Sequence, residues 1–462
     1  MFDDKSIIAL ASPPGSGAIS LIRISGSDAI VLGDTCFKSI KNKRLINQKT
    51  HTIHLGHIMD EDRVLDEVLV SVFKGPHSYT GENIIEISCH GSPFIQQEII
   101  QLFIRSGCRV ARPGEFTLRA FLNGKLDLSQ AEAVADLIAS DNEASHQIAM
   151  QQMRGGFSNE IKSLRKELLN FASLIELELD FAEEDVEFAN RKDFEKLITK
   201  IIHVLKHLID SFAVGNVIKN GIPVAIVGEP NVGKSTLLNE LLNEDKAIVS
   251  EVAGTTRDAI EDEITIKGVN FRFIDTAGIR ETNDVVENIG ISRTYEKIDT
   301  SQVVIYLFDA HKHIGDFTKM TLEIEKIKNK NPLRPLLIIA NKVDKLTTLQ
   351  KENLIKTIND VTLLSAKTGL GVDHLKDALL ECVNLGILRN NETIVTNSRH
   401  YDALLKALNE IQKVQLGIDD NLSGDLLAID IRQALYHFGE ITGEISSDDL
   451  LGNIFANFCI GK

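Results

Sequence analysis

Residues 228–235 are Gly228-Glu229-Pro230-Asn231-Val232-Gly233-Lys234-Ser235, which fit the pattern G-x-x-x-x-G-K-[ST]. The apolar run Val224–Val227 precedes them and a helical pattern follows, and this is the context in which the pattern binds phosphate. Glycines let backbone N–H groups turn towards an anion, and the helix N-terminus adds positive partial charge. We expect Lys234 to contact the β- and γ-phosphates and the Ser235 hydroxyl to bind Mg²⁺. The stretch predicts a nucleotide-binding α/β domain.

Three more polar motifs follow apolar runs further along the chain. They are Asp275-Thr276-Ala277-Gly278, Asn341-Lys342-Val343-Asp344 and Ser365-Ala366-Lys367. Asp275 is expected on the Mg²⁺ side and Gly278 at the γ-phosphate. The Asp344 carboxylate can accept from the N1–H and 2-amino groups, which guanine has and adenine lacks, while the Ala366 N–H is expected at the guanine oxygen. Four motifs in this order at the carboxyl ends of strands predict a GTP site.

A segment that can close over the nucleotide lies between the first two motifs. Its centre is Gly254-Thr255-Thr256-Arg257-Asp258. A threonine here can bind Mg²⁺ only when the γ-phosphate is present, which makes an on/off switch, and we assign this role to Thr256. The remaining predicted nucleotide contacts are Thr236, Ser250, Glu251, Val252 and Ala253.

The sequence motifs do not by themselves identify the residue that positions the attacking water. Ras-like GTPases use a glutamine, but Ile279 follows the Asp275–Gly278 motif here. Glu281, Asp284 and Glu287 lie downstream, and spacing alone does not choose among them. Charge on the transition state has to be stabilised by an arginine finger or a cation. Asn231 can supply a ligand for a monovalent cation, or can simply hold the loop after Pro230.

Composition is ordinary for a globular protein: the 462 residues are 43% hydrophobic and 25% charged. The net charge of −16 argues against indiscriminate nucleic-acid binding but leaves a local basic face possible. The five cysteines are scattered without a C-x-x-C pair, which indicates reduced thiols. The first residues do not form a secretory signal, and no apolar run approaches the roughly 18–20 residues of a membrane helix. We therefore predict a cytoplasmic protein with no membrane partner.

The pattern changes three times along the chain and predicts a multidomain fold, α/β plus α. Residues 1–118 alternate β-branched runs with turns, as in an α+β domain. Residues 119–215 and 383–462 have apolar residues at helical spacing, and Ser129 with Glu132 fits a capping box. Residues 216–382 alternate buried strands with helices. The prediction is one discontinuous helical domain that carries an inserted P-loop GTPase domain of the doubly wound, Ras-like type.

Two further stretches show a family resemblance. They are Arg112–Leu128, with the sequence RPGEFTLRAFLNGKLDL, and the terminal Phe458-Cys459-Ile460-Gly461-Lys462. With the four GTP motifs, they resemble the MnmE (TrmE) family of tRNA-modification GTPases over essentially the whole chain and in the same domain order.

This resemblance implies a homodimer formed through N-terminal domains that bind 5-formyl- or 5,10-methylene-tetrahydrofolate. It also implies an FAD-containing partner, the flavoprotein MnmG, in a heterotetramer that modifies C5 of the wobble uridine of certain tRNAs. Paired GTPase domains would use K⁺ in place of an arginine finger. The GTPase would thus be stimulated by K⁺ and activated by dimerisation.

Residue roles carried over from the family are expectations as well. By this resemblance, the K⁺ ligands would be Asn231, Ser250, Val252 and Thr255. The residue that orients the attacking water would be Glu287. The positions that match the family's folate contacts are Arg23, Glu86, Lys125 and Lys462. Cys459 stands where the family has its important cysteine. Ser250 is a departure, because threonine is frequent there, whereas the apolar Ile279 agrees with the family.

Several alternatives stay open at this stage. A GTPase of ribosome or RNA assembly needs neither a folate segment nor Cys459. Arg23 and Lys125 could form ordinary surface salt bridges, and Cys459 could be a small apolar residue. The spacing of His51, His54 and His57 suggests a metal site, but a strand places His54 on the face opposite the other two. We therefore predict no metal site at these histidines.

Overall fold

We analysed a computed structural model of the chain. It describes residues 5–180, 191–245, 262–274, 298–382 and 393–461, apart from 315, 331, 333, 447, 457, 459 and 460. Several predicted site residues lie outside this part of the chain: 250–256, 275–278, Glu287, Cys459 and Lys462.

Two compact units make up the chain. The first unit comprises Met1–Ala139, Ala149–Lys206 and Asp402–Lys462, and the second comprises Ser140–Ile148 and His207–Tyr401. Each unit is thus built from separate stretches of sequence. The four predicted domain boundaries stay a prediction.

A seven-stranded sheet forms the N-terminal part of the first unit, in the order β3-β4-β5-β6-β2-β1-β7. All neighbours are antiparallel except β1 and β7. The strands are β1 Ile7–Leu10, β2 Gly17–Ser25, β3 Phe37–Ser39, β4 Thr52–Asp60, β5 Arg63–Phe73, β6 Ile84–Gly91 and β7 Arg109–Val110. The predicted α+β character of this region is confirmed.

Helices α1 (Ala29–Cys36) and α2 (Pro93–Arg105) cover one face of this sheet. Alternate strand residues such as Ile22 and Val70 are fully buried against Ile99 and Phe103 of α2, because successive strand side chains point to opposite faces. The strand residues that alternate with these buried ones therefore lie on the other face of the sheet.

The remaining helices of the first unit begin after β7. Those up to the second unit are α3 Glu115–Leu122, α4 Leu128–Ala139, α5 Glu143–Met153, α6 Gly156–Asp180 and α7 Arg191–Asn220, and those near the C-terminus are α12 Ser398–Asp419, α13 Gly424–Thr442 and α14 Asp448–Ala456. Helices α5, α7 and α12 extend into the second unit. Helix α13 packs along α6, which agrees with a helical domain assembled from distant parts of the sequence.

The start of α4 differs from the prediction. Asp127 Oδ1 accepts from the Gln130 N–H at 2.9 Å, and Gln130 Oε1 accepts from the Asp127 N–H at 3.0 Å. These two reciprocal hydrogen bonds form a capping box at the first turn of α4. Ser129, which the sequence suggested as the cap, lies inside the helix, and its buried hydroxyl has no hydrogen-bond partner among the residues that the structure describes. The predicted box of Ser129 and Glu132 is therefore wrong.

Among the described helices, α7 has the length and composition of a membrane span, with a mean hydropathy of 1.4 over its most apolar window. Its apolar residues recur at helical spacing, and Ile198, Ile201, Leu205 and Leu208 are fully buried within the protein. A core helix passes the same test of length and composition. Hydropathy alone is thus weak support for membrane insertion of α7.

The second unit contains a six-stranded sheet in the order β13-β12-β11-β8-β10-β9. All pairs are parallel except β9–β10. Its elements are β8 Ile222–Val227, α8 Lys234–Asp245, β9 Asp262–Ile266, β10 Val269–Phe273, β11 Val303–Asp309, α9 Thr318–Lys330, β12 Leu336–Asn341, α10 Thr348–Thr357, β13 Val361–Leu363 and α11 Val372–Glu381.

Both faces of this sheet are covered by helices. Along β8, Val224 and Ile226 belong to the core beneath α8 and α11, whereas Ala225 and Val227 belong to the core beneath α9 and α10. Strands buried on both faces explain the continuous apolar runs in the sequence. The carboxyl ends of β8, β11 and β12 meet at one edge, where the predicted motifs begin.

Candidate functional site

The phosphate loop, residues 228–235, joins β8 to α8. Gly228 and Gly233 have φ angles of 148° and 104°. A Cβ atom on Gly228 would clash with the backbone carbonyl oxygen of Leu307, and one on Gly233 would clash with the side-chain nitrogen of Asn341. Glycine is therefore required at both positions by backbone angle and by close approach to neighbouring elements.

Lys234 is the first residue of α8, and its ammonium lies against the loop. Its Nζ donates to the carbonyl oxygens of Gly228 at 2.6 Å and Glu229 at 3.0 Å. Ser235 and Thr236 follow in the first turn of α8, where a helix presents free N–H groups to an anion. A hydroxyl at this place is a hard oxygen donor that suits Mg²⁺. The second predicted ligand, Thr256, lies outside the described residues.

Asn341 connects three of the predicted motifs. It is the last residue of β12 and only 2% exposed. Its Nδ2 donates to the carbonyl oxygen of Val232 at 2.8 Å, and its Oδ1 accepts from the N–H groups of Lys342 at 2.8 Å and Ala366 at 3.0 Å. One buried side chain thus fixes the phosphate loop and the two predicted base-binding segments relative to each other.

Asp344 and Ser365 form the predicted base-recognition pair. The Ser365 hydroxyl donates to Asp344 Oδ1 at 2.7 Å, and this hydrogen bond lowers the pKa of the exposed Asp344 carboxyl. The carboxylate is therefore ionised at neutral pH and keeps acceptor capacity for N–H donors. Val343 and Ala366 are buried behind the pair, and Lys367 is exposed beside it.

Lys342 links the base motif directly to the phosphate loop and also binds an acid that the sequence analysis missed. Its Nζ donates to the carbonyl oxygen of Asn231 at 2.9 Å and to Asp309 Oδ2 at 2.7 Å. Burial opposes ionisation of Asp309, but the hydrogen bond from Lys342 outweighs it and the pKa of Asp309 is lowered. The available signal was an aspartate at the carboxyl end of the apolar strand β11.

Asn231 therefore has a backbone carbonyl already occupied by Lys342. It adopts a left-handed φ of 63°, and its side chain is exposed. The side-chain amide oxygen is the part of Asn231 left to act as a cation ligand. The other predicted K⁺ ligands, Ser250, Val252 and Thr255, lie outside the described residues.

A second ion-pair cluster flanks the phosphate loop and was not predicted. Glu229 Oε2 lies 2.8 Å from Lys312 Nζ and 3.5 Å from His313 Nε2. Lys312 and His313 follow β11 by a few residues. The negative charge of Glu229 is thus offset by neighbouring basic side chains. This limits the electrostatic repulsion between Glu229 and a bound phosphate.

The structure brings two of the predicted folate contacts, Arg23 and Glu86, together on the first unit. They are opposite each other on β2 and β6, and Arg23 Nε donates to Glu86 Oε1 at 2.8 Å. Their side chains are 14% and 20% exposed, so this is not an ordinary surface pair. The guanidinium lies 5.4 Å from the ring centre of Tyr79 and 5.7 Å from that of Phe116.

Lys125, another predicted folate contact, lies near Tyr79. Its Nζ donates to the carbonyl oxygen of Pro76 at 3.1 Å, and Lys125 and Tyr79 line the same pocket. Burial raises the pKa of Tyr79, whose hydroxyl bonds to Thr117 at 2.8 Å. Tyr79, which the sequence analysis did not select, is thus the residue shared by Lys125 and the Arg23–Glu86 pair.

The end of the chain returns to this unit. A Cβ atom on Gly461 would clash with the carbonyl oxygen of Leu10 in β1, so the backbone at residue 461 lies against the N-terminal sheet. Cys459 and Lys462 are outside the described residues. Within the described residues, no group of three histidine, cysteine or acidic side chains is arranged to hold a metal ion. The expectation for His51, His54 and His57 stays a prediction.

Comparison with known families gives two matches that together span most of the chain. Residues 6–125 match the family described as GTP-binding protein TrmE N-terminus, and residues 128–459 match the MnmE helical domain. The chain belongs to the MnmE family.

Individual relatives agree over the full length. Proteins called tRNA modification GTPase MnmE are 70% identical in Flavobacterium johnsoniae, 68% in Flavobacterium psychrophilum and 51% in Bacteroides fragilis, each aligned over 100% of both chains. The resemblance predicted from the sequence is therefore confirmed.

Among solved structures, two G domains of FeoB proteins align with 35% of this chain. The FeoB G domain from T. maritima is 24% identical, and the one from Methanococcus jannaschii is 26% identical. The alignments cover 98% and 97% of those chains, each with a TM-score of 0.26.

Proposed function

We propose that this chain is a GTPase that acts in tRNA modification. The observation that carries the proposal is the edge at which Asn341 joins the phosphate loop to the Asp344–Ser365 pair. Phosphate donors and a carboxylate acceptor for a guanine base lie together there, held by two buried hydrogen bonds of Asn341 and a half-buried one between Ser365 and Asp344. Membership of the MnmE family, with relatives named tRNA modification GTPase, supports the same conclusion.

Two cations belong to the proposed mechanism. Mg²⁺ would be held by Ser235 and Thr256, and K⁺ by Asn231, Ser250, Val252 and Thr255, to neutralise charge on the phosphates. The chemistry of the Ser235 hydroxyl and of the exposed Asn231 side-chain amide fits these roles. Glu287 is proposed to orient the attacking water, since Ile279 has no polar group with which to do so. Lys234 and the phosphate loop orient the triphosphate.

Dimerisation through the N-terminal sheet is supported by exposed apolar side chains on the face opposite α1 and α2. Leu55 and Leu69 are cross-strand partners and are 46% and 45% exposed. In the next row of the same sheet, Ile53 pairs with Ser71, which in turn pairs with Glu86. Exposed apolar side chains grouped on one sheet face are typical of an association surface. We propose that the family's homodimer forms through these residues.

The modification chemistry is proposed from the family together with the arrangement around Tyr79. Arg23, Glu86, Lys125 and Lys462 would bind 5-formyl- or 5,10-methylene-tetrahydrofolate, and Cys459 would serve catalysis near that site. The partner would be the FAD-containing MnmG in a heterotetramer, and the product a tRNA substituted at C5 of the wobble uridine. The proposed location is the cytoplasm, where tRNA and MnmG meet.

Reconstitution tests this function. The full chain is incubated with MnmG, unmodified tRNA, GTP, Mg²⁺, K⁺ and methylene-tetrahydrofolate, and the wobble nucleoside is analysed by mass. We expect a C5-substituted uridine that requires both proteins and hydrolysable GTP. The MnmE of Flavobacterium johnsoniae is the positive control. Absence of product with this chain, while the control forms it, would contradict the proposal and favour an assembly GTPase.

A further inference from the structure

A run of basic side chains without any aspartate or glutamate spans residues 35–59 of the first unit. In the whole chain, by contrast, acidic residues outnumber basic ones by 66 to 50. The lysines and the arginine of the run are all exposed, and they are Lys38, Lys41, Lys43, Arg44 and Lys49. Neither the GTP site nor the proposed folate contacts include them. Positive charge is thus concentrated on a part of the protein to which the proposed function gives no role.

The run lies at one edge of the N-terminal sheet, on the edge strand β3 and on the segment that joins β3 to β4. A turn follows β3, in which the Asn42 N–H donates to the Ser39 carbonyl oxygen at 3.0 Å. Lys41 and Lys43 flank Asn42 in this turn. Lys38 and Lys43 are five residues apart, so their Cα atoms are at most about 18 Å from each other. A nucleic-acid duplex presents several successive phosphates over such a length.

The segment is held in place by contacts that leave its lysines outside. Asp34 of α1, whose side chain is 4% exposed, accepts two hydrogen bonds from the Arg44 guanidinium, at 2.6 and 2.8 Å. Gln48 Nε2 donates to the Arg44 carbonyl oxygen at 2.8 Å, and Lys74 Nζ donates to that of Ile46 at 3.2 Å. Arg44 is therefore an anchor whose charge is already neutralised, and the lysines project from a fixed backbone.

The ammonium groups of the four lysines form no ion pair with any described residue. On the neighbouring strands, Glu67 Oε2 of β5 lies 3.4 Å from His57 Nε2 of β4. Lys43 lies close enough to β4 for its charge to lower the pKa of His54, an effect that adds to the larger one of burial. Like charges without an acid between them repel one another. A polyanion that spans the lysines relieves this repulsion.

Protection of the sheet edge accounts for only part of the run. Lysines on edge strands prevent pairing with the edge of another sheet, and Lys38 of β3 fits that role. Lys41 and Lys43 lie in the turn beyond the end of β3. Their charges therefore need another explanation.

An anionic membrane is a second complementary surface, but binding to it usually combines basic residues with an exposed apolar face. Among residues 38–49, all of which the structure describes, Ile40 is the only large apolar side chain that is exposed. The segment thus offers charge with little apolar surface, which suits the phosphate backbone of a nucleic acid better than a lipid bilayer.

We propose that residues 38–49 bind the phosphate backbone of the tRNA, with Lys38, Lys41 and Lys43 as the phosphate contacts. The inference rests on the proposed function in tRNA modification and assigns a tRNA contact to the N-terminal sheet. Contacts of this kind position an RNA without reading its sequence. The acidic excess of the chain disfavours nonspecific RNA contacts elsewhere.

The test is a titration of a fluorescein-labelled tRNA transcript with the full chain, followed by anisotropy at several KCl concentrations. Each lysine–phosphate contact adds about −0.9 to the slope of log affinity against log salt concentration, because it releases counterions. We expect the double variant Lys41→Gln/Lys43→Gln to bind about tenfold more weakly, with a slope smaller in magnitude by about two. The matched control Lys326→Gln/Lys328→Gln removes two exposed lysines of α9 and should leave affinity and slope unchanged.

The reconstituted modification reaction separates failure of this surface from failure of the proposed function. Lys41→Gln/Lys43→Gln should raise the KM for tRNA and leave GTP turnover unchanged. Equal tRNA affinity and slope in this variant and the parent chain would overturn the surface, whether or not the wobble uridine is modified. Absence of tRNA binding by the parent chain would overturn it too.

Vesicles that contain phosphatidylserine test the membrane alternative. If the double variant loses vesicle binding and keeps its tRNA affinity, the lysines serve a membrane and the inference is wrong. If the double variant loses tRNA binding in a chain that forms no modified nucleoside, the surface stands and the modification function fails.

Discussion

In the proposed function, base selection depends on a single carboxylate, that of Asp344. It is exposed where the carboxyl end of β12 opens, and its pKa is lowered by the hydrogen bond from Ser365. An ionised carboxylate accepts from two donors of guanine but finds no such pair on adenine. The residue behind it, Asn341, is structural, since all its polar atoms are used within the protein.

The variant Asp344→Asn should bind GTP at least about 100-fold more weakly, because two hydrogen bonds to a charged acceptor are lost. Its affinity for xanthosine triphosphate should rise, since an amide N–H can donate to the extra oxygen of xanthine. Titration with both nucleotides measures the two affinities. Glu352→Gln, exposed on α10, is the matched control and should leave both affinities unchanged. Unaltered GTP binding in Asp344→Asn would remove Asp344 from the base site.

Hydrolysis should depend on Glu287. We expect Glu287→Ala to bind GTP normally and to turn it over about 100-fold more slowly, as for loss of a positioned acid–base group. Single-turnover kinetics at saturating GTP measure this. Glu281→Ala, another carboxylate of the same stretch, should retain turnover. If the two variants behave alike, Glu287 has no special role in positioning water.

At the scale of elements, the site is a junction between strand ends. The phosphate loop passes so close to β11 that Gly228 has no room for a side chain. The loops after β11 and β12 are joined through Lys342 and Asp309. Because these loops contact one another directly, we expect a change in one loop to alter the nucleotide contacts of the others.

Gly228→Ala tests this packing. Its φ of 148° and the approach of the Leu307 carbonyl should cost about 2 kcal/mol or more in strain and displace the loop. We expect nucleotide binding to fall below detection by fluorescence titration. Gly107→Ala is the control, since Gly107 has a φ of 117° but open space around its Cβ position. Normal binding by Gly228→Ala would show that the loop tolerates the displacement.

The sequence predicted the elements whose periodicity is regular. The strand ends that carry Gly228, Asn341 and Ser365 followed from apolar runs bounded by polar motifs. Side-chain partners over long range did not follow, because the pairing of Lys342 with Asp309 depends on which strands are neighbours. The cap of α4 was misplaced because two overlapping patterns fit a capping box, and only the helix start distinguishes them.

For the whole molecule, the decisive feature is the group of exposed apolar side chains on the sheet face of the first unit that lies opposite α1 and α2. Leu55 and Leu69 form an exposed apolar pair there, in the row next to the one that contains Glu86 and Arg23. A dimer on this face would place the proposed folate contacts close to the partner subunit. Association of two N-terminal sheets would also hold two GTPase domains at high effective concentration.

Leu69→Lys should therefore dissociate the proposed dimer, because a charge replaces an exposed apolar side chain in the proposed contact. Light scattering should report a monomer at concentrations where the unmodified chain is a dimer. Leu349→Lys, which changes an equally apolar exposed residue on α10, should stay dimeric. A dimeric Leu69→Lys would place the association surface elsewhere.

The most direct test of the account is GTP turnover by the full chain in matched KCl and NaCl buffers over a range of protein concentrations. We predict strong stimulation in KCl alone, with a specific activity that rises as protein concentration favours pairing of GTPase domains. Equal rates in the two salts at every concentration would contradict the K⁺-stimulated, dimerisation-activated mechanism, and no turnover in either salt would contradict the GTPase itself.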